Sequence, residues 1–274
     1  MPAIQKIFVV IDPTTESQPA LSNAETIALS SGSAVLHVYE CIFSASDSTD
    51  PDALRQVETS RHRAWLDSLV KPLVDKGLNV EVEIEWNEDW RDALPSAARR
   101  LDADLIVKAA SVHSGAERRF LKTSDWTLLR NSHCPVYLIK KDLADSGRKV
   151  LVALDIKRSD DLHNTLNERV LEFGRAFVGA AAEGSLHAVN AYSSSNDFVY
   201  PDDLAETTGI QLHDAHSVEG AADTVIPEVT SKIEADILVI GTAARDGIKA
   251  AMLGNTAEKV VDAVDTNILI VTAA

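Results

Sequence analysis

The sequence predicts an α/β protein built from two copies of one doubly wound, parallel five-stranded sheet, the second copy abridged. Three observations predict it. The run Lys6–Asp12 (KIFVVID) returns as Lys149–Asp155 (KVLVALD), a short β-branched stretch that ends in Asp both times, as suits a strand buried on both faces. The run Asp102–Ala109 (DADLIVKA) returns as Glu234–Gly241 (EADILVIG). From there the halves align without a gap: Asp104 meets Asp236, Gly115 meets Gly247, Leu121 meets Leu253, and PVYLIK from Pro135 meets NILIVT from Asn267. Between the apolar runs lie segments of helical period, and such alternation indicates a parallel sheet covered by helices.

In the first half, strands are expected near 6–11, 34–40, 79–86, 104–109 and 135–140, with helices near 17–31, 51–76, 90–101 and 123–132. Within 51–76, Leu54, Val57, Trp65, Leu69 and Leu73 recur at helical spacing and form the expected core face. Pro72 is expected to kink that helix or to begin its end. All four tryptophans, at 65, 86, 90 and 126, lie in this half and are read as packing residues. In the second half, the stretch from Tyr192 to Asp236 is about 20 residues shorter than that from Tyr39 to Asp104, the length of one helix. The polar segment 193–208 reads as loop or short helix. A short linker at Asp145–Arg148 divides domains 1–144 and 145–274.

Composition narrows the function. The net charge is −16, which repels phosphate backbones and argues against nucleic-acid binding. The first 144 residues hold 16 basic and 21 acidic groups (−5), the remainder 10 and 21 (−11). No apolar run approaches the ~20 residues of a membrane helix, no signal peptide is read at the N-terminus, and the two distant cysteines, Cys41 and Cys134, fit a reducing cytoplasm. No membrane partner and a cytoplasmic location are expected. Dinucleotide, Walker and nucleophile-elbow motifs are absent. His213, Asp214 and His216 lie close together, and solvated or capping roles are expected rather than a metal site. Asp104 and Asp236 close a helix–strand junction and read as turn residues.

Ligands of a doubly wound sheet bind at the carboxyl ends of its strands, where strand order reverses. There the second half carries Asp155 and, after its fourth strand, Gly241-Thr-Ala-Ala-Arg-Asp-Gly247 and Gly254-Asn-Thr256. Gly241 is expected to let a ligand approach the backbone, and Gly254 to permit a tight entry into the next helix. Asn255 reads as an N-cap, with Glu258 completing a capping box. Free amides at that helix end would cradle an anion, with Arg245 and Lys249 adding charge. A glycine turn followed by an ordinary capped helix is the competing reading.

This stretch resembles the nucleotide loop of universal stress proteins, G-x2-G-x9-G-[ST]. Gly241 and Gly254 match the first and third glycines, while Ala244 and Asn255 stand for the second glycine and the Ser/Thr. Asp155 matches the acidic residue after the first strand, Ser217–Gly220 (SVEG) resembles the segment before the third helix, and Leu253–Val261 and Asp125–Val136 look like the tandem, E-type class. The resemblance spans the chain. It implies sheets of the adenine nucleotide alpha hydrolase type in strand order 3-2-1-4-5, and a cytoplasmic stress-response regulatory protein that binds ATP, with Mg, at Asp155, Gly241, Arg245, Gly254, Asn255 and Thr256. The first half has Ala109, Val112 and Lys122 at the matching loop positions and Asp125 inside the helix, so no nucleotide site is expected there. Two rivals stand beside this reading: a nucleotide-free adaptor for another metabolite, and a slow ATP hydrolase. The apolar fifth strands, 135–140 and 267–272, are expected to pair with each other about a pseudo-two-fold axis, an intramolecular pseudo-dimer that leaves a homodimer through other faces open.

Overall fold

The two repeats open on β1 (Lys6–Val10) and β6 (Arg148–Leu154), as their matching apolar runs require. The computed structural model describes residues 4–43, 50–110, 123–143, 147–158, 160–180, 183–242 and 254–272, which fall into two compact units, Ile4–Ala109 and Ala110 onward. In the first unit β1 is followed by α1 (Pro19–Ser31), β2 (Val35–Ile42), α2 (Pro51–Asp75), β3 (Asn79–Trp86), α3 (Trp90–Arg100) and β4 (Leu105–Ala109). Its strands are parallel in the order β3-β2-β1-β4. Pro19 starts α1, and Gly32 ends it with φ 76°, a left-handed angle that costs glycine little. Asp50 caps α2 by accepting from Ala53 N at 3.0 Å.

The second unit begins with α4 (Thr123–Asn131) and β5 (Val136–Ile139) and continues after β6 with α5 (Asp161–Gly179), β7 (Gly184–Tyr192), α6 (Pro201–Thr208), β8 (Ala215–Glu219), α7 (Ala222–Lys232), β9 (Ile237–Thr242), α8 (Asn255–Ala263) and β10 (Asn267–Thr272). Its parallel strands lie in the order β8-β7-β6-β9-β10, the expected 3-2-1-4-5 of one repeat. Beyond them β5 pairs antiparallel with β10, Val136 to Ile270, Tyr137 to Leu269 and Leu138 to Ile268. The repeat offset of 132 residues makes Tyr137 and Leu269 equivalents that face each other. A local pseudo-dyad of the two strands therefore passes through that pair. Asn267, fully buried, secures the junction: its Oδ1 accepts from Lys140 N and Lys141 N at 2.7 and 2.9 Å, and its Nδ2 donates to Lys141 O at 3.0 Å. Lys140 turns inward and donates from Nζ to Val261 O and Val264 O at the end of α8.

The repeat reaches down to single dihedrals. Helices α3 and α7 occupy equivalent residues, each with an internal proline, Pro95 and Pro227. Among the described residues the non-glycine positions of positive φ are Asp102 (53°) and Glu234 (55°), again equivalents. Two residues on, Asp104 Oδ2 accepts from Gln5 N and Lys6 N at 2.9 Å, and Asp236 Oδ2 from Lys149 N at 2.8 Å. Lys6 and Lys149 donate back to the last carbonyls of the preceding helices, Leu101 O and Ile233 O, both at 3.1 Å. These aspartates latch helix to strand, which bears out their reading as turn residues.

Three expectations need correction. The buried face of α2 is Leu66, Val70 and Leu73, whereas Val57 is 63% exposed; one turn earlier the inward position belongs to His62, which satisfies a buried carboxylate that only a polar side chain can meet. The tryptophans are only partly buried, Trp90 being 37% exposed. The β1–β2 and β6–β7 registers match Tyr39 with Val189 rather than Tyr192. The stretch before Asp236 is thus 18 residues short, because the 8-residue α6 stands where the first repeat has the 25-residue α2. Pro72 lies one turn before the end of α2.

Candidate functional site

Residues on strand ends inherit their positions from register, so the two repeats can be compared atom by atom where the first strand gives out. Asp12 and Asp155 are equivalent. Each backbone is held by a side-chain amide from the next helix region: Gln18 accepts from Asp12 N at 3.2 Å and donates to Asp12 O at 2.7 Å, and Asn167 does the same for Asp155 at 3.2 and 2.8 Å. Beyond this shared clamp the repeats diverge. Residues 13–15 are Pro, Thr and Thr, and residues 156–158 are Ile, Lys and Arg. Thr14 engages the Asp12 carboxylate twice, from its N at 2.9 Å and its Oγ1 at 2.5 Å. The Asp155 carboxylate has no such partner among the described residues.

The register also places Glu40 and Asn190 at the same point, beside the residue that precedes the repeated Asp. Ile156 N donates to Asn190 Oδ1 at 3.2 Å. Pro13 has no N–H to offer. Glu40, fully buried, takes a 2.6 Å bond from His62 Nδ1 of α2 instead, and its Oε2 has no hydrogen-bond partner. Burial pushes the Glu40 carboxyl above its usual range, and His62 offsets part of that rise. The first repeat therefore presents two carboxylates and a histidine that plugs one of them.

In the second repeat the same place is an open cleft of ≈ 320 Å³ lined by Asp155, Lys157, Arg158, Asn190, Tyr192 and Asp197, with Ala191 and Ser193. Lys157 is exposed and has no ion-pair partner among the described residues; Arg158 lies 3.5 Å from Asp160. Tyr192 starts an aromatic ladder through Phe198 to Tyr200, with ring centroids 5.1 and 4.9 Å apart. Two cations, the carboxylates of Asp155 and Asp197 and a neutral amide line the cleft, and the cations with the amide suit a small anion that also carries hydroxyls.

Of the expected site residues, the cleft gathers Asp155 alone. Gly241 is the last residue but one of β9, the strand beside β6, and a Cβ there would stand 2.6 Å from Leu166 Cγ. The glycine makes room for α5. Gly254, Asn255 and Thr256 are exposed at the start of α8. The N-cap is Gly254, with an ordinary φ of −65°, and no side chain caps the helix; the expected capping box does not form, because the helix begins one residue early, which moves Glu258 past the capping-box position, and Glu258 pairs instead with Arg130 of α4 at 2.8 Å. Among the described residues no side chain meets the first amides of α8. At the end of β9, the buried Thr242 hydroxyl has no hydrogen-bond partner. Arg245, with Ala244, Gly247, Lys249, Val112 and Lys122, lies outside the described residues. Lys157, Arg158 and Asn190 escaped the sequence reading; the swap of two threonines for two cations after the repeated Asp was the available signal.

At the far edge, Asp214 Oδ1 lies 3.2 Å from His187 Nδ1 and 3.4 Å from His213 Nε2, and the His187 and His216 rings stack at 5.8 Å. Among the described residues no group of three or more His, Cys, Asp or Glu could hold a metal. Burial lowers both His187 and His216 below the usual histidine value, with Lys149 and His213 pressing on the first and Lys232 on the second, against Asp214. A depressed histidine leaves the unfolded chain holding more protons, so stability is lost as pH falls through about 6.5. Melting temperature should therefore drop between pH 7.5 and 5.5. H187Q/H216Q should flatten that slope, and an unchanged slope in the variant would contradict the assignment.

The repeated sheet defines a class, the α/β protein made of two copies of one doubly wound module. The model of the universal stress protein family matches residues 3–140 and again 147–272, and the chain belongs to that family. It is 29% identical to Universal stress protein E of Escherichia coli K12, over 99% of this chain and 95% of that one. To the Universal stress protein E homolog of Haemophilus influenzae it is 28% identical over 97% and 96%. The crystal structure of a universal stress protein from Pseudomonas aeruginosa UCBPP-PA14 overlays 99% of the chain and 94% of its own with TM-score 0.84 at 27% identity. No helix of the described residues is long and apolar enough to cross a membrane.

Proposed function

We propose that this chain is a cytoplasmic stress-response regulator that binds an adenine nucleotide in its second domain, residues 145–274, while the first, residues 1–144, binds none. The observation that carries the reading is a gain of cations at one equivalent point: Asp12 and Glu40 with His62 in the first repeat, Asp155 and Asp197 with Lys157, Arg158 and Asn190 in the second. Phosphates are favoured by the second set and repelled by the first. Asp155, whose carboxylate is free, suits a ribose hydroxyl. Lys157, Arg158 and the uncapped start of α8 at Gly254, Asn255 and Thr256 suit phosphate oxygens, with Arg245 belonging to the same loop. Magnesium, if it accompanies ATP, would be carried by the phosphates.

Calorimetric titration of Mg-ATP into wild type and into G254K tests the reading. Gly254 is exposed and a Cβ there meets nothing within 4 Å, so the variant should fold. Its longer side chain occupies the helix entrance, and binding is expected to fall at least tenfold. Equal binding by the variant would remove α8 from the site; absence of binding in wild type would favour the adaptor for another metabolite.

A further inference from the structure

Asn190 is 2% exposed, yet its carboxamide is bonded on one side only. Its Oδ1 accepts from Ile156 N at 3.2 Å, which fixes the flip of the amide, and no described residue accepts from Nδ2. The two Nδ2 hydrogens are donors on a group that also lines the cleft beside Asp155, Lys157 and Arg158. Nδ2 opens on the cleft, where a ligand acceptor can take the place of water. In the first repeat the position holds Glu40, a group with acceptors and, when ionised, no donor.

We propose that Asn190 is the specificity-determining residue of the cleft: its Nδ2 donates to an acceptor atom of the bound molecule, a ring nitrogen, carbonyl or phosphate oxygen, and its neutrality lets Lys157 and Arg158 act on an anion. This rests on the reading that the cleft takes a small anion. It adds that one side chain on β7 decides which repeat does so.

The test is N190D. The new carboxylate has the size of the old amide and still accepts from Ile156 N, so the local fold is kept while both donors are replaced by acceptors and a negative charge. Binding of ATP, AMP and pyrophosphate to the full chain is measured for wild type and variant at pH 7.5 and pH 5, with melting curves for both. N190D should bind about 100-fold more weakly at pH 7.5, through a lost charge-assisted bond and a gained repulsion. The deficit should narrow at pH 5 as the carboxyl regains a donor hydrogen, a change that a purely structural role for Asn190 would not produce. Should N190D fail to fold, the smaller and neutral N190S is expected to lose about tenfold. Equal affinities in a wild type that binds ATP or AMP would overturn the role of Asn190 and leave the nucleotide reading standing. Binding of pyrophosphate without either nucleotide would end the nucleotide reading and test Asn190 by the same ratio. Binding of no probe by wild type would overturn both.

Discussion

Aspartate at Ile139 and Ile270 together is expected to abolish cooperative folding of the unit that begins at Ala110. Ile139 is 3% and Ile270 2% exposed, on the fifth strands β5 and β10 that pair with each other. Burying an unpaired carboxylate costs several kcal/mol even after relaxation, and two such costs rival the whole 5–15 kcal/mol that holds a domain folded. The apolar character that makes each strand a liability as a free edge is what makes the pair stable. Circular dichroism melts and light scattering read the result: the variant should aggregate or melt without a cooperative transition. A wild-type melting temperature with wild-type compactness would show that β5 and β10 do not depend on each other.

Removal of the histidine that plugs the first repeat is expected to have the second-largest effect. H62A leaves the Glu40 carboxyl fully buried without its 2.6 Å partner, and loss of one member of a buried pair costs about 3–5 kcal/mol. The cost should depend on pH with a definite sign. The folded-state value of Glu40 is already raised by burial, so the folded chain holds this proton more tightly than the unfolded one, and stability declines as pH rises through the window above the usual carboxylate range. Without His62 that window widens upward. The deficit of H62A in urea melts should therefore be largest at pH 7.5 and smaller at pH 5, and E40Q/H62A, which removes the charge, should recover part of it at pH 7.5. A deficit that does not vary with pH would mean that His62 acts by packing alone.

The strands and helices of the first half were legible because their signals are local: apolar runs such as Phe8–Ile11 and Leu105–Val107 are buried on both faces, and the proline and glycine punctuation of α1 lies in the sequence itself. The repeat carried the second half, down to the left-handed Asp102 and Glu234. What could not be read depends on partners distant in sequence. The inward turn of His62 follows from Glu40, 22 residues away. Gly241 answers to Leu166 of α5, and Glu258 pairs with Arg130, 128 residues away. The site was half legible for the same reason. Asp155 follows from the repeated strand, but Asn190 becomes comparable with Glu40 only through strand register, and its meaning rests on Pro13 lacking the N–H that Ile156 provides.

The central claim is that one repeat takes an adenine nucleotide and the other refuses it. Its most direct test is a crystal structure of the chain grown with a non-hydrolysable ATP analogue, accompanied by the binding stoichiometry in solution. One nucleotide per chain is predicted, with density in the second repeat against Asp155, Lys157, Arg158 and Asn190. Two equivalents per chain, or density beside Asp12 and Glu40 in the first repeat, would contradict it.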